Sequence, residues 1–248
     1  MVSVIDVKYS IIIPTLNEEY LLPGILLTLS DRELKKKYNY EVIVSDGGST
    51  DDTLIQSRLY ADKTLTFQNT DLKNISYGRH KGAVNAAGDI LIFMNADVRI
   101  KEPYLFFEYI EKYFLNSSFA AMTCTIKVFP ELERVTDKLF SAFINVYVRV
   151  LNLIGIGMAR GECQIVKKEI NDEIGGYNIN LFAGEDFELS TRLRKKGKIL
   201  FAPELIVYES PRRYHSWGYI RIISSWFMNS MTSWFLKKSV SKKWEPVR

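Results

Sequence analysis

The stretch Gly88-Asp89-Ile90-Leu91-Ile92-Phe93-Met94-Asn95-Ala96-Asp97-Val98-Arg99 decides how this chain reads. Its middle, Ile90 to Met94, is an apolar run of strand length bounded by small and polar residues. A run that short, without alternation, reads as a strand buried on both faces. In open α/β sheets, ligands bind at the carboxyl ends of such strands. Asn95 and Asp97 then stand at the mouth of a site. A carboxylate with an amide oxygen close by in sequence suits a hard divalent cation that carries a diphosphate.

Working back from that strand, Tyr9 to Ile13 reads as a strand stopped by Pro14. Thr15 or Asn17 can cap a helix from about Glu18 to Leu29, with Glu18 and Glu19 favouring its N-terminus. Lys35 to Tyr40 reads as a loop and Glu41 to Ser45 as a second strand. Asp46 to Thr53 reads as a turn flowing into a helix capped by Ser49 or Thr50. Thr64 to Gln68 gives a third strand and Ser76 to Ala87 a helix rich in small residues. Strands alternating with helices at this spacing imply a parallel sheet with right-handed crossovers. Forward of the strand, the pattern gives a helix over Pro103–Leu115, a strand over Ala120–Val128 and a long helix over Thr136–Ile156. A short strand over Gly161–Val166, a helix over Ala183–Lys196, a strand over Ile206–Tyr208 and an aromatic-rich helix over Trp217–Leu236 complete the chain.

The 248 residues suffice for one large α/β domain, and 47% hydrophobic with 25% charged residues is an ordinary globular balance. A net charge of +4 is too small to indicate nucleic acid. Positive charge gathers at the end, where Lys237, Lys238, Lys242, Lys243 and Arg248 face only Glu245. Cys124 and Cys163 match no metal spacing and read as reduced, buried thiols, which suits a cytosolic setting. No secretory leader is read at the N-terminus, and no charge-free apolar stretch reaches the roughly 18 residues of a membrane span.

Three further segments carry candidate chemistry. Asp46 sits at a strand end beside Gly47 and Gly48, where a planar ligand can approach the backbone; it either accepts from a nucleobase or belongs to a helix-capping turn. The helix from Ser76 carries Arg79, His80 and Lys81, and Arg79 can reach a diphosphate in bidentate fashion or lie on a solvated basic face. Gly184-Glu185-Asp186 opens a helix in which Glu188 and Arg192 make an i,i+4 pair. Asp186 is either a dipole partner or a general base. Neither the dinucleotide fingerprint nor the P-loop is present.

In order along the chain, Pro14-Thr15-Leu16-Asn17-Glu18, Val44-Ser45-Asp46-Gly47-Gly48-Ser49-Thr50-Asp51-Asp52-Thr53, Arg79-His80-Lys81-Gly82, Ala87-Gly88-Asp89-Ile90-Leu91, Asn95-Ala96-Asp97, Ile174-Gly175-Gly176-Tyr177 and Gly184-Glu185-Asp186 resemble the family 2 glycosyltransferases. The resemblance covers roughly residues 9 to 215. It implies the GT-A fold: an α/β, Rossmann-like, mostly parallel sheet with flanking helices. A catalytic domain is expected over 1–215, with a nucleotide-binding half at 1–100 and an acceptor and catalytic half at 101–215.

The resemblance further implies a nucleotide-diphosphate sugar donor, GDP-mannose in the first place and a UDP-sugar in the second. Pro14, Thr15, Asn17, Glu18 and Asp46 are expected on the donor, with Arg79, Asn95 and Asp97 nearer its phosphates. Asp97 matches the metal-binding aspartate of the D-x-D motif, holding Mn²⁺ or Mg²⁺. Asp186 matches the catalytic base of an inverting displacement, with Gly184 and Glu185 on the acceptor side. Asn95 departs from the family, standing where the first aspartate of D-x-D is usual. Ser210-Pro211-Arg212-Arg213-Tyr214 stands where processive relatives carry Q-x-x-R-W; Arg213 matches the diphosphate-binding arginine, while Ser210 and Tyr214 depart and favour a single transfer over polymerisation. His215 is expected as a further metal ligand.

The helices over Thr136–Ile156 and Trp217–Leu236 carry long apolar stripes, and the latter contains Trp217, Trp226 and Trp234. Aromatic rings followed by lysines suit a bilayer interface and anionic lipid. Residues 216–248 are therefore expected as an amphipathic, membrane-interfacial helix and basic tail. The expected acceptor is lipid-linked, at the cytoplasmic face of a membrane, with the protein peripheral or anchored by a segment absent from this chain. Nucleic acid is not an expected partner. Two rival readings stand beside this one. A nucleotidyltransferase needs a glycine- and arginine-rich loop after the first strand, which Pro14-Thr15-Leu16-Asn17-Glu18 is not. A catalytically degenerate binding module at the membrane surface has Asn95 as its support.

Overall fold

The computed structural model describes residues 8–67, 74–236 and 238–241. The isoleucine run after Tyr9 forms a central strand, β1 (Tyr9–Thr15), with every side chain buried. Ile11 and Ile13 enter one core and Ile12 the other, as the two-residue period of a strand requires. Pro14 is tolerated because β1 is hydrogen-bonded to its neighbour β4 (Ile90–Met94) only as far as Ile12, opposite Phe93. Strand β4 behaves as its composition demands. Ile90, Ile92 and Met94 face the first core, Leu91 and Phe93 the second, and all five are buried.

After β1, helix α1 (Leu22–Leu29) starts later than the acids at Glu18 and Glu19 suggested, because the Glu18 carbonyl closes a turn onto the Leu21 and Leu22 N–H groups. Lys35 to Tyr40 is not a loop. It lies mostly in a helix, α2 (Arg32–Tyr38), capped by Asp31, whose carboxylate accepts from Leu34 N at 2.8 Å. Leu34 and Tyr38, one turn apart, bury its inner face, so the lysine run is only its outer side. Strand β2 (Tyr40–Asp46) follows, then α3 (Thr53–Tyr60), β3 (Lys63–Thr66) and α4 (Ile75–Val84). Gln68, expected at the end of the third strand, lies outside the described residues.

Beyond β4 come β5 (Val98–Ile100), α5 (Pro103–Tyr109) with a π-helical turn over Ile110–Leu115, and β6 (Ala121–Val128). Then follow α6 (Val135–Leu153), β7 (Cys163–Lys167), α7 (Lys168–Glu173), α8 (Glu185–Arg194) and β8 (Ile199–Glu209). Helix α9 (Arg212–Trp217) and α10 (Tyr219–Leu236) end the described chain. The helix expected as one piece from Trp217 is thus broken at Gly218, whose φ of 78° no regular helix accommodates.

The strands form one sheet in the order β3-β2-β1-β4-β7-β6-β8-β5. β3, β2, β1 and β4 run parallel, and β6 runs parallel to β8. β7 is antiparallel to both β4 and β6, and β5 is antiparallel to β8. The sheet is therefore mostly parallel rather than wholly so. A third, smaller core of Phe140, Ile144, Val148, Tyr214 and Ile222 joins α6, α9 and α10. The last helix does not stand apart, since Trp234 meets Phe187 of α8 edge-on at 6.0 Å. Both cysteines are buried free thiols. Among the described residues no helix is long and apolar enough to cross a membrane.

Candidate active site

The carboxyl ends of β1, β2 and β4 meet where the motifs converge. Asp46 ends β2 fully buried, and its carboxylate is enclosed by donors of its own loop and of the end of β1. Oδ1 accepts from Gly48 N at 2.9 Å and Ser49 N at 2.8 Å; Oδ2 accepts from Thr15 Oγ1 at 3.0 Å and Ser49 Oγ at 2.5 Å. With four donors on two oxygens, Asp46 organises the turn and has no free lone pair for a base in this state. Asn17, in a left-handed conformation at φ 56°, accepts from Thr50 N at 2.8 Å and so ties the β1 loop to the β2 loop. Pro14 is buried inside β1. Thr15 Oγ1 is committed to Asp46 as well, and Asn17 and Glu18 follow just after the end of β1.

Asn95 and Asp97, two residues apart just past the end of β4, have separate partners. Asn95 Oδ1 accepts from Arg79 Nη2 at 2.8 Å. Asp97 Oδ2 lies 3.1 Å from Arg212 Nη2. The two side chains are thus held by different arginines. Arg79, expected at the donor diphosphate, is 1% exposed. Its guanidinium donates to Glu185 Oε1 at 2.6 Å and to the Gly161 carbonyl at 3.0 Å as well as to Asn95. It is an internal strut with no surface left for phosphate. Space for it exists because position 161 is glycine; a Cβ there would collide with Arg79 Nη2.

That strut fixes the base candidate. Glu185 is the first residue of α8, and Asp186 follows it. Asp186 Oδ2 accepts from Gly161 N at 3.2 Å and Oδ1 from Phe187 N at 2.7 Å. Burial pushes the Asp186 carboxyl up to about 7, with the charges of Glu185 and Glu162 adding to the effect and Arg79 opposing it. A carboxylate poised there suits general-base work near neutral pH. Gly184, immediately before, takes φ 75°, and a Cβ on it would sit 2.8 Å from the Asn229 carbonyl of α10. Its own carbonyl accepts from Ser233 Oγ at 3.2 Å. Gly184, expected on the acceptor side, docks the Asp186 turn on α10, and Glu185, expected there too, anchors Arg79.

The remaining expectations divide. Arg213 lies over the Trp217 ring at 5.7 Å, and its charge helps hold the Glu162 carboxyl below the usual range. It is Arg212 that reaches Asp97, and it also contacts Glu18 Oε1 at 2.5 Å. His215 is not beside Asp97. Its Nε2 lies 3.0 Å from Oδ2 of Asp137, which also accepts from Arg134 N and Tyr219 Oη. The reason is local: α9 turns His215 toward the buried start of α6, where a carboxylate needs a partner.

Sequence reasoning missed a second buried ionic group. Arg160 donates from Nη2 to both oxygens of Glu209 at 2.9 Å and sits 3.2 Å from Glu162 through Nε. Tyr214 Oη donates to Glu209 at 2.6 Å, so the departure from Trp at this position supplies a hydroxyl that a buried carboxylate uses. The signal was available in Arg160-Gly161-Glu162, a charged tripeptide directly before an apolar strand.

A divalent cation fits the donor set at Asp97. Glu18 and Asp97 supply hard carboxylate oxygens, and Glu18 Oε2 is buried without a hydrogen-bond partner. Among the described residues no three His, Cys, Asp or Glu side chains are gathered into a complete metal cage. An ion here would take its further ligands from a diphosphate and water.

The fold and the motif order agree with comparisons to known proteins. The chain is 20% identical, with a TM-score of 0.68, to the mannosyltransferase PcManGT from Pyrobaculum calidifontis, solved in complex with GDP-Man and Mn²⁺. The match covers 93% of this chain and 63% of that one. It is 41% identical over 93 residues to the uncharacterized glycosyltransferase YfnE of Bacillus subtilis, covering 37% of this chain and 23% of that protein. Over 254 aligned residues it is 25% identical to a dolichyl N-acetyl-alpha-D-glucosaminyl phosphate 3-beta-D-2,3-diacetamido-2,3-dideoxy-beta-D-glucuronosyltransferase of Methanococcus voltae, covering 94% of this chain and 70% of that protein. The chain thus spans about a quarter of the first of these two relatives and over two thirds of the second. The profile of Glycosyl transferase family 2 matches residues 10–175, which with the GT-A architecture places this chain in that family.

Proposed function

We infer that this protein transfers one sugar, with inversion, from a nucleotide-diphosphate sugar to an oxygen of a lipid-linked acceptor. The carrying observation is the Arg79 guanidinium, which contacts both Asn95 and Glu185 and so ties the Asp97 turn to the Asp186 turn. One side can hold the departing diphosphate, and the other can hold a base. Asp186 takes the proton of an acceptor hydroxyl as that oxygen forms its bond to the anomeric carbon. The bond from that carbon to the diphosphate breaks, and its electron pair leaves with the diphosphate. An acceptor that is already an ionised phosphate needs no base, and Asp186 then orients it. A Mn²⁺ or Mg²⁺ ion, when bound, offsets charge growing on the leaving group.

GDP-mannose is the first donor and a UDP-sugar the second. The Pyrobaculum mannosyltransferase, solved with GDP-Man and Mn²⁺, supports this order. The Methanococcus relative, named for a dolichyl N-acetyl-alpha-D-glucosaminyl phosphate, supports the lipid-linked acceptor.

The surface supports a membrane setting. Helix α6 exposes Leu139, Phe143 and Leu153, and α10 exposes Ile220, Phe227 and Phe235, with Ile220 at 83%. The two helices pack together through their inner faces, where Phe140 meets Trp226 at 6.1 Å. Exposed apolar side chains on a helix that lysines follow in sequence suit an anionic bilayer surface. The expected tail itself, apart from Lys238, lies largely outside the described residues.

A thermal-shift panel of GDP-, UDP- and dTDP-sugars with Mn²⁺ tests the donor, since a ligand of the folded state raises its stability. Stabilisation by a GDP-sugar together with turnover supports the reading. Donor binding without turnover on any lipid-phosphate acceptor would favour a binding module, and no stabilisation by any sugar nucleotide would sink it.

A further inference from the structure

The run Ser210-Pro211-Arg212-Arg213-Tyr214 places adjacent arginines at the start of α9, and the fold uses them differently. The antiparallel pairing of β5 with β8 brings Asp97 against this turn, where Ser210 N donates to the Asp97 carbonyl at 3.0 Å. Arg212 then reaches both Asp97 and Glu18 through one nitrogen: Nη2 is 3.1 Å from Asp97 Oδ2 and 2.5 Å from Glu18 Oε1.

The neutralisation is incomplete. Glu18 is 6% exposed, yet its Oε2 has no hydrogen-bond partner. A buried acceptor left without a donor is costly, and two carboxylates facing one monovalent guanidinium carry an excess negative charge. Hard oxygens converging on one point are what a divalent ion takes. Arg212 stands at that point with its side chain 24% exposed, so it has a way out toward solvent. Arg213 is no rival for the role, because its guanidinium rests on Trp217.

We propose that Arg212 is a resident counter-ion for the Glu18–Asp97 pair, displaced when a divalent cation arrives with a nucleoside diphosphate. The proposal rests on the donor reading above and deepens it. Without donor, Arg212 holds the two carboxylates together and keeps free metal out. With donor, the cation takes over the carboxylates, and the released guanidinium finds a new anionic partner in the diphosphate, whose oxygens match its planar donors. Metal alone must therefore compete with Arg212, whereas metal and diphosphate together need not, so each favours the binding of the other.

The test is a Mn²⁺ titration followed by electron paramagnetic resonance on the full chain, alone and with GDP or UDP. The wild-type protein should bind Mn²⁺ weakly alone and more tightly with one nucleoside diphosphate. Arg212→Gln should bind Mn²⁺ alone roughly tenfold more tightly, because a competing cation has gone. Arg212→Lys, which restores a positive charge, should return to the wild-type isotherm, as should Arg213→Gln. Glu18→Gln supplies an independent variant whose Mn²⁺ affinity with the diphosphate should fall roughly tenfold, with one carboxylate of the pair neutral. A Mn²⁺ isotherm for Arg212→Gln no tighter than wild type overturns the proposal, as does unchanged affinity in Glu18→Gln. Those outcomes leave the donor reading standing if the wild-type protein still binds Mn²⁺ with GDP or UDP. Failure of the wild-type protein to bind Mn²⁺ under any of these conditions removes both.

Discussion

Arg79 Nη1 donates to Glu185 Oε1 at 2.6 Å, and both side chains are buried. Glu185 is adjacent to Asp186, and the other terminal nitrogen of Arg79 holds Asn95, close to Asp97. The ion pair therefore sets the distance between the Asp97 turn and the Asp186 turn. Removing one partner leaves the other charged and buried, which typically costs about 3–5 kcal/mol. Arg79→Met and Glu185→Gln should each lower the urea midpoint strongly. The double variant should lose less than the sum of the two, and strict additivity would show that the pair does not act as a unit.

Asp186 gives a pH signature. Its folded pKa of about 7 lies above the ordinary 3.8, so the group binds its proton more tightly in the folded state than in the unfolded chain. Its relative stabilisation is complete below about pH 4 and disappears as pH rises through about 7. Asp186→Asn should therefore melt later than wild type at pH 8, with the difference shrinking at pH 5. For a hydroxyl acceptor, kcat/KM should rise with pH through about 7 in the wild-type protein. Asp186→Asn should reduce kcat by about 10²–10⁴-fold while retaining donor affinity. A flat pH profile would return the base role to another group.

His215 should prove structural. Burial pushes Asp137 up, but the Arg134 N–H, the Tyr219 hydroxyl and His215 outweigh it and leave the carboxyl below its usual range. A depressed carboxylate stabilises the fold above its unfolded pKa and loses that contribution as pH falls through the folded value. His215→Ala should destabilise by about 1–2 kcal/mol at neutral pH, and by less only where pH falls below the ordinary carboxylate range and Asp137 takes up its proton. Its Mn²⁺ titration should match wild type; a shifted one would make His215 a ligand after all.

Gly161 should tolerate no side chain. A Cβ there meets Arg79 Nη2, which is bonded to Asn95 and to the Gly161 carbonyl while Nη1 is bonded to Glu185, so the guanidinium cannot shift without losing buried hydrogen bonds. Gly161→Ala should cost about 1–3 kcal/mol, the usual range for forcing a methyl group into a filled interior. Circular dichroism melts measure it. A neutral result would mean that Arg79 has a second resting place.

Much of the fold was legible in the chain, and for identifiable reasons. Ile90 to Met94 had to be buried on both faces because no polar residue interrupts it, and β4 is so buried. Lys35 to Tyr40 misled because three lysines in a row look like a loop, while the signal that mattered was Asp31 as cap with Leu34 and Tyr38 one turn apart. The direction of β7 was not legible, since a strand buried on both faces reads alike in either direction, and β5 was not read at all because three residues, Val98 to Ile100, are too short for a pattern. At the site, motif order found the Asp97 and Asp186 turns, whose joining through Arg79 is visible in the fold. It did not reveal that Arg79 would be internal, because helix charge alone cannot show which face Glu185 will cover. Nor could it choose between Arg212 and Arg213, adjacent residues whose side chains diverge only once α9 is placed.

The left-handed Gly184, pressed against the Asn229 carbonyl, bears on how this protein can be recombined with its relatives. Turn and helix α10 meet there backbone to backbone, with Ser233 Oγ closing the contact onto the Gly184 carbonyl. A chimera that exchanges α10 alone would have to reproduce the small, hydrogen-bonding residues Asn229 and Ser233 or open the turn carrying Asp186. The natural crossover point lies before Gly184, so that the acidic turn and its supporting helix travel together.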